Sequence, residues 1–365
     1  MNDKFINTPA CNHQTAASGG LPLTGFKLGK VILSPPILMA PMAGVSDLPF
    51  RLITRSFGCK FAFAEMISAR ALSHKGKKTH KMIASVPEDK PLGVQLLGAE
   101  AVFIQQAIEI LNQSDFEVLD FNAACPVRKA TNRGEGAALL KDPKKLHKLL
   151  KIIASESRLP ASVKIRSGWD EKSINAVEVA QLAEDAGVKT LLIHGRTKAQ
   201  SYRGKVDYDI IRQVKEAVKI PVVGSGDALS PELVKKMFDE TGCDAVAIAR
   251  GALGNPWIFP QTVRLLKDGA TAPPPSLDEP EGTASSELIK TMHRHFELSC
   301  GFHGERIGVI IFRKFFYWYT RRIAGIKPLR EKAFRAKTKE EIINIINELR
   351  QTALIPHPQY KELTN

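Results

Sequence analysis

Cys125 is the most reactive side chain found at the end of a strand-like segment in this sequence. It follows the apolar run 118–122 and two alanines, and three basic residues come after it, Arg128, Lys129 and Arg133. A thiol with an ordinary pKa of about 8.5 is mostly protonated at neutral pH and can still give up its proton. The position makes Cys125 a candidate proton donor, and the adjacent positive charge indicates an anionic partner.

Further candidate side chains lie near the ends of other strand-like segments. They are Met42, Gln95, Asn122, Lys164, Arg166, His194 and Arg196. Taken singly, a Gln or Lys at a strand end can cap the backbone of a loop, and a His can be a hydrogen-bonded packing residue. Strand interiors disfavour Lys and Arg unless an anion meets them. Several such residues together therefore predict a binding site at one end of the strands.

The last two strand-like segments indicate a phosphate site. Gly224, Ser225 and Gly226 end one of them, and Arg250 ends the other. Small side chains let backbone N–H groups approach a phosphate, and a GxGxxG fingerprint for a dinucleotide is absent from the early part of the chain. We therefore predict a nucleotide-like cofactor with one terminal phosphate, and flavin mononucleotide (FMN) suits this pattern better than a dinucleotide.

Eight apolar runs supply the strands that would position these residues. They begin at Ile37, Phe61, Pro91, Val118, Ala161, Thr190, Pro221 and Ala245. Each run is nearly continuous in hydrophobicity, as in parallel strands buried on both faces, and segments with helical periodicity separate them, such as 100–112, 142–156 and 174–186. Eight β–α units in about 250 residues predict an α/β fold of the TIM (β/α)8 barrel type rather than a doubly wound sheet. Active sites of such barrels lie at the carboxyl ends of the strands, where the candidates fall.

The chain after the barrel has a different character. Segment 267–286 is rich in Pro, Gly, Ser and acidic residues and predicts a linker, whereas the region after it shows only helical patterns, including a capping box at Thr338 and Glu341. We therefore predict a flexible segment at 1–30, the barrel at 31–266, the linker at 267–286, a small helical domain at 287–352 and a tail at 353–365.

The predicted helical domain combines an aromatic stripe with a basic surface. Phe312, Phe315, Phe316 and Tyr319 recur with helical spacing and predict a buried face. The basic residues outside this stripe are interrupted only by Glu331, and they are Arg313, Lys314, Arg321, Arg322, Lys327, Arg330, Lys332, Arg335 and Lys337. A solvated face usually mixes both signs of charge, so this bias predicts a surface that contacts phosphates.

Composition limits the class of protein. The 365 residues carry a formal net charge of +14, which favours a polyanionic partner such as nucleic acid. Five scattered cysteines without a CxxC pair indicate neither a structural zinc site nor a disulfide framework. No apolar stretch approaches the roughly 20 residues of a membrane span, and the first residues lack a signal-peptide pattern. We expect a soluble, cytoplasmic and monomeric protein that uses no metal and no membrane.

Seven motifs extend the interpretation to a known family. They are LMAPMAGVSDLPFR, VQLLG, DFNAACPVRK, VKIRSGWD, IHGRT, GSGD and ARGALGNPWIF. In this order and spacing the chain resembles the tRNA-dihydrouridine synthases, most of all their B-type bacterial branch, from about Leu33 to Leu349. The resemblance implies an FMN-dependent oxidoreductase that uses NADPH or NADH to reduce the 5,6 double bond of uridines in tRNA. Reduction of the flavin should need only the barrel.

The resemblance also implies roles for single residues. The flavin ring would be backed by Pro41, Met42 and Ala43, bonded at its polar edge by Gln95 and Lys164, and flanked by His194. Its ribityl phosphate would be held by Ser225, Gly226, Asp227, Ala249 and Arg250. Candidates for contact with the RNA are Asn122, Arg128, Lys129, Arg133, Arg196, Arg321 and Arg322. Cys125 matches the family's catalytic acid, because a hydride from the reduced flavin leaves one proton to be supplied.

Three residues depart from the family pattern, and two other functions stay open. Ala124 and Ala249 stand where members commonly have Gly, and Ser225 stands where they have Asn; a positive φ at Ala124 would be costly. One alternative is an FMN-dependent dehydrogenase or reductase of a free pyrimidine, for which the basic helical domain has no use. The other is an inactive barrel that binds RNA, which does not explain why Cys125 and Lys164 occur together with the phosphate loops.

Overall fold

A β-hairpin covers the amino-terminal end of the barrel. The computed structural model describes residues 25–74, 76–270, 284–323 and 325–349. Strands β1 (Phe26–Leu28) and β2 (Val31–Leu33) pair in an antiparallel sense. The hairpin begins within the segment expected to be flexible, because buried Phe26 and Leu28 alternate with exposed Lys27 and seal the barrel end. The expected boundary at residue 30 falls in the hairpin turn, and residues 1–24 lie outside the described part.

Eight parallel strands close into a barrel, which confirms the predicted TIM-barrel fold. They are β3 (Ile37–Met39), β4 (Ala62–Phe63), β6 (Leu92–Leu97), β7 (Val118–Ala123), β8 (Ala161–Arg166), β9 (Thr190–His194), β10 (Val222–Ser225) and β11 (Ala245–Ile248). Neighbours in sequence pair with one another, β4 pairs with β6, and β11 pairs with β3 to close the ring. The short strand β5 (Ile67–Ser68) pairs with the carboxyl end of β6. Each predicted apolar run contains one barrel strand.

Helices pack around this barrel. They are α1 (Leu48–Ser56), α2 (Ala69–Ser73), α3 (Lys77–Met82), α4 (Ala101–Leu111), α5 (Arg128–Thr131), α6 (Pro143–Glu156), α7 (Ala176–Asp185), α8 (Tyr208–Ala217), α9 (Pro231–Thr241) and α10 (Ile258–Asp268). The three helices predicted from periodicity correspond to α4, α6 and α7. Several begin at side-chain caps: Asp47, Asp142, Asp207 and Ser230 each accept a hydrogen bond from a backbone N–H of the first turn.

The strands place apolar residues outside the barrel and polar residues inside its upper half. In β7, Leu119 and Phe121 pack against the helices, whereas Asp120 and Asn122 point inward, as the two-residue period of a strand requires. The lower interior is filled by an apolar cluster that includes the hairpin, Phe61 and Phe63. The upper interior therefore becomes a layer of hydrogen-bonding side chains beneath the carboxyl ends of the strands.

The helical domain packs directly on the barrel. Its helices are α11 (Ala284–His303), α12 (Glu305–Thr320), α13 (Lys327–Arg335) and α14 (Lys339–Glu348). The aromatic stripe of α12 is buried as predicted, and the capping box of Thr338 and Glu341 is present. Phe50 of α1 stacks on Phe315 with ring centroids 5.7 Å apart, so the two regions share one apolar core. Most of the predicted linker, 271–283, and the predicted tail lie outside the described residues.

Candidate active site

The carboxyl ends of the strands surround a cavity of about 470 Å³. Its lining includes Cys125, Asn122 and all eleven residues predicted to hold the cofactor, namely Pro41, Met42, Ala43, Gln95, Lys164, His194, Ser225, Gly226, Asp227, Ala249 and Arg250. These residues come from seven different strand ends or the loops that follow them. The fold thus brings the predicted cofactor residues and the predicted acid to one place.

A chain of hydrogen bonds leads from the barrel interior to the Cys125 loop. Gln95 donates from Nε2 to Asp120 Oδ2 at 2.7 Å, and its Oε1 accepts from Asn122 Nδ2 at 2.8 Å. Asn122 Oδ1 then accepts the backbone N–H groups of Ala124 at 3.0 Å and Cys125 at 2.8 Å. Because an ionised carboxylate only accepts hydrogen bonds, Asp120 determines the orientation of the Gln95 side-chain amide, and Gln95 in turn determines that of Asn122. Asn122, predicted to contact the substrate, therefore also shapes the loop that carries the thiol.

Asp120 itself is fully buried in the upper interior. Burial raises the pKa of its carboxyl to about 6, although hydrogen bonds from Gln95 and Ser162 and the charge of Lys164 act in the opposite direction. Ser162 donates to Asp120 Oδ1 at 2.7 Å, so both carboxyl oxygens have a donor. This satisfied carboxylate lies below the cavity and does not line it.

The Cys125 loop is held on two further sides. Arg166, which is almost fully buried, donates from Nε to the carbonyl of Ala124 at 2.7 Å. The Cys125 carbonyl accepts the N–H of Ala137 at 3.1 Å. Next to it Gly136 has φ of +61°, and a Cβ there would lie 2.8 Å from the Cys125 carbonyl oxygen and 2.9 Å from its Cβ. Only glycine fits at position 136, and Gly136 was not among the residues predicted from the sequence.

Lys164 projects from β8 into the cavity. Its Nζ donates to Ser225 Oγ at 3.1 Å, and Ser225 Oγ donates onward to the Ile193 carbonyl at 2.9 Å. Burial lowers the pKa of Lys164 to about 8, against the charge of Asp120, and the charge of Arg166 lowers it further. The ammonium is therefore predominant at neutral pH and lacks a carboxylate hydrogen-bonded to it. It can pair with an anionic or carbonyl group of a ligand.

The Asp227 carboxylate joins two arginines at the other end of the cavity. It accepts from Arg196 Nη1 at 3.0 Å and from Arg250 Nη2 at 2.5 Å, and its own φ is +46°. Arg196 is only 2% exposed, donates also to the carbonyl of Gly204, and does not line the cavity. The predicted contact of Arg196 with substrate stays a prediction, and the structure places this arginine against the Asp227 carboxylate and the Gly204 carbonyl.

Positive charge accumulates around His194. Burial lowers the pKa of this imidazole to about 2, and the charges of Arg166, Lys164, Arg196 and Arg250 lower it further. His194 is therefore neutral at physiological pH, when it can offer one N–H and one acceptor nitrogen. A cavity with this surplus of cations favours a ligand that carries negative charge.

The backbone at the three departures from the family pattern can be compared with what the substituted residues need. The non-glycine residues with positive φ in the described part are Ser201 and Asp227, so Ala124 does not have a positive φ. Ala249 has φ of −114° and ψ of −96°, which is neither a helical nor an extended conformation. Ser225 supplies the hydroxyl that accepts from Lys164. The β-carbon of Ala124 therefore does not carry the cost of a positive φ.

The remaining RNA-contact candidates lie outside the cavity. Arg128 and Lys129 are exposed on α5, and Arg133 pairs with Glu135 at 2.6 Å. Arg321 and Arg322 follow α12 in the helical domain and are partly buried. Three other residues of the predicted basic surface bond backbone carbonyls: Arg313 that of Ala336, Lys314 that of Gly44, and Arg330 that of Thr320. Part of that surface therefore stabilises the fold.

Sequence reasoning missed several residues of the cavity wall. Tyr202 is 53% exposed, and the guanidinium carbons of Arg166 and Arg250 lie 5.6 and 5.5 Å from its ring centroid. Met66 is another such residue. Both lie in loops that follow barrel strands at the carboxyl end of the barrel. This position in the sequence could have identified them as cavity residues. An aromatic face at the mouth can contact a planar group.

Two further kinds of site are absent from the described ranges. None of their helices is both long and apolar enough to cross a membrane. None of their groups of His, Cys, Asp and Glu side chains is arranged to hold a metal ion.

Comparisons with known proteins relate most of the chain to one family. Residues 38–354 match the family described as dihydrouridine synthase (Dus). A tRNA-dihydrouridine synthase B of Pseudomonas aeruginosa is 34% identical over 304 residues, which are 83% of this chain and 89% of that protein. Probable tRNA-dihydrouridine synthases of Rhodobacter capsulatus and Rickettsia conorii are 36% and 35% identical, over 85% and 81% of this chain and 93% and 87% of theirs. The chain therefore belongs to the dihydrouridine synthase family.

Proposed function

We propose that this protein is a tRNA-dihydrouridine synthase that binds FMN in the cavity at the barrel mouth. It reduces the 5,6 double bond of uridines in tRNA, with NADPH or NADH as the source of electrons and Cys125 as the proton donor. The observation that carries the proposal is that the thiol of Cys125 and the cations Lys164, Arg166 and Arg250 line one cavity. Family membership supports the same conclusion.

The donor set of the cavity fits FMN. The Lys164 ammonium, without a carboxylate partner, suits the electron-rich polar edge of a flavin, with Gln95 beside it. Arg250 and the peptide of Gly226 suit a phosphate. Gly226 has φ of +123°, and a Cβ there would lie 2.8 Å from Val206 and 3.0 Å from His194, so the backbone approaches the cavity closely only with glycine. Pro41, Met42 and Ala43 would lie against the ring.

When bound and reduced, FMN supplies a hydride to one carbon of the uracil double bond. Cys125 gives its proton to the other carbon, which completes the addition of two hydrogens. Asn122 and Arg166 hold the Cys125 loop through its backbone and leave the thiol free for this transfer. Neutral His194 and the nearby cations stabilise negative charge that develops on the pyrimidine during the step.

The substrate is an RNA whose target base leaves its stack to enter the cavity. A thiol that lines this cavity reaches a base only when that base is extruded, and a dedicated pocket offsets the loss of stacking. Arg128 and Lys129 are exposed immediately after the Cys125 loop, where they can contact phosphates flanking the base. A free pyrimidine would leave these charges and the helical domain without a role.

The purified full chain tests this function. It should carry a flavin that is released as FMN on denaturation, and it should add two hydrogens to uridines of unmodified tRNA in the presence of NADPH, as measured by mass spectrometry of the nucleosides. Free uracil and orotate are the control substrates. Turnover of a free pyrimidine without turnover of tRNA would favour the dehydrogenase alternative, and a chain that binds no flavin would favour the inactive barrel.

A further inference from the structure

Helix α12 of the helical domain contacts two loops at the mouth of the barrel. One loop follows β3 and carries Pro41, Met42 and Ala43, and the other follows β11 and carries Arg250. The two strands are neighbours, with Met39 paired to Ile248. The helical domain therefore contacts the loops that would hold the ring and the phosphate of the cofactor.

The loop after β3 is a tight turn that is held at one residue, Gly44, from both sides. Met42 donates its N–H to Ser46 Oγ at 2.9 Å, and its carbonyl accepts from the Ser46 N–H at 2.9 Å and from Ser46 Oγ at 3.2 Å. At the tip, Gly44 donates its N–H to the Glu65 carboxylate and accepts at its carbonyl from Lys314 Nζ. Glu65 belongs to the barrel and Lys314 to α12, so this turn is held between the two domains.

Oppositely charged groups surround the contact between Lys314 and Gly44. Lys314 is half-buried and faces two carboxylates, Asp47 and Glu65. His303, also of the helical domain, has its Nε2 2.7 Å from Asp47 Oδ2, at the end of the same turn. Asp47 in addition caps α1 through the N–H of Phe50. The helical domain thus contacts the cofactor-facing turn at two points.

The loop after β11 meets α12 backbone to backbone. Gly254 has φ of +60°, and a Cβ on it would lie 2.2 Å from the carbonyl carbon of Trp318. A side chain at this position would push the helix away from the loop that carries Arg250. The contact therefore needs glycine for both its conformation and its closeness.

We propose that Lys314 is a positioning residue for FMN, and that the helical domain completes the cofactor site by holding the turn at Gly44. The inference rests on the proposed function, because it assumes FMN in this cavity. The sequence predicted that the barrel alone serves the flavin and that Lys314 belongs to a surface that contacts phosphates. The present proposal differs from both predictions. Lys314 instead connects the domain that would bind RNA to the turn that would support the flavin ring.

The test measures FMN affinity of the full chain, stripped of flavin, by quenching of FMN fluorescence. Lys314→Met should raise the dissociation constant about tenfold, the order expected when a charge-assisted hydrogen bond is lost. Lys314→Arg should restore most of the affinity, because it again places a cation near the Gly44 carbonyl. Lys332→Met is the matched control: it removes the same charge from the same domain, at an exposed pair with Glu348. It should bind FMN as the wild type does.

A second pair of variants covers the case in which Lys314→Met does not fold. Gly254→Ala should weaken FMN binding, whereas Gly269→Ala, also at positive φ but with no atom within 4 Å of its Cβ, should not. Wild-type affinity in Lys314→Met, or in Gly254→Ala when the lysine variant does not fold, would overturn the inference alone. A wild-type chain that binds no FMN would overturn the proposed function and this inference with it.

Discussion

Asn122 shows how a single side chain can prepare a reactive neighbour without touching its reactive atom. Its amide oxygen accepts from the backbone of Ala124 and Cys125, while its amide nitrogen donates to Gln95. The backbone of the loop is thereby fixed, and the thiol is left facing the cavity. The proton donation that we propose for Cys125 would then depend on where the loop places the sulfur.

Cys125→Ala tests proton donation directly. The variant should bind FMN and accept electrons from NADPH normally, because no cofactor contact is assigned to the thiol. Formation of dihydrouridine should fall by about 10² to 10⁴, the usual contribution of a general acid. Rapid mixing separates the two half-reactions, with flavin absorbance for the first and nucleoside mass spectrometry for the second. Wild-type turnover of tRNA by this variant would show that the proton comes from another group.

Lys164 should make FMN binding depend on pH. Its pKa in the unliganded protein is lowered to about 8, so the ammonium is present below that pH and is lost above it. If the ammonium pairs with FMN, the dissociation constant should rise as the pH increases from 7 to 9. Lys164→Met should bind more weakly at pH 7 and lose most of this dependence. Parallel pH profiles for the two proteins would exclude a role for the charge.

The cavity residues could be predicted from the sequence because they lie at strand ends. Motif spacing identified Gln95, Lys164 and Asp227 without knowledge of their contacts. The burial of Arg196 beside the Asp227 carboxylate could not be predicted, because only the folded chain brings positions 196 and 227 together. Asp120 was not identified, because its partners lie 25 and 42 positions away in the chain.

At the scale of elements, the chain after Cys125 turns back and contacts that residue again. The short helix α5 ends before two glycines with positive φ, Gly134 and Gly136. Only the second of them touches the Cys125 backbone. Gly134 therefore needs to be glycine only for its backbone conformation, whereas Gly136 needs to be glycine also because it lies close to Cys125.

Gly136→Ala and Gly134→Ala form a matched test of this contact. Both place a β-carbon at positive φ, which costs about 1–2 kcal/mol. Gly136→Ala adds a clash with Cys125 that should cost about 1–3 kcal/mol more and should lower tRNA turnover. Chemical denaturation and steady-state rates measure the two effects. Equal losses in both variants would mean that the loop adjusts freely around Gly136.

The sequence predicted the barrel strands better than the hairpin. Apolar runs identified every barrel strand, because a strand buried on both faces must be apolar along most of its length. The hairpin of β1 and β2 was missed, since β1 alternates buried and exposed residues over only three positions and the turn between the strands offers only one glycine. The packing of α12 on the barrel depends on Gly44 and Gly254, which lie far from α12 in the chain.

At the scale of the whole molecule, surplus positive charge should govern binding of tRNA. Phosphate contacts release counterions, so the logarithm of affinity should fall with the logarithm of salt concentration by about 0.7 to 0.9 per contact. Arg321→Ala with Arg322→Ala should weaken binding and reduce that slope. Lys235→Ala with Lys236→Ala removes the same charge from α9 and serves as the control. Unchanged affinity and slope in the arginine pair would remove it from the interface.

The hairpin described at the start of the fold has a kinetic consequence. Phe26 and Leu28 close the amino-terminal end of the barrel, so a reactant of nucleotide size enters at the carboxyl end, beside Cys125. In the proposed reaction a nicotinamide and an extruded uracil would both use that entrance to reach the same flavin, and each would have to leave before the other could react. We expect ping-pong kinetics, with parallel double-reciprocal plots when NADPH is varied at several fixed concentrations of tRNA. Intersecting lines would mean that both reactants occupy the mouth together.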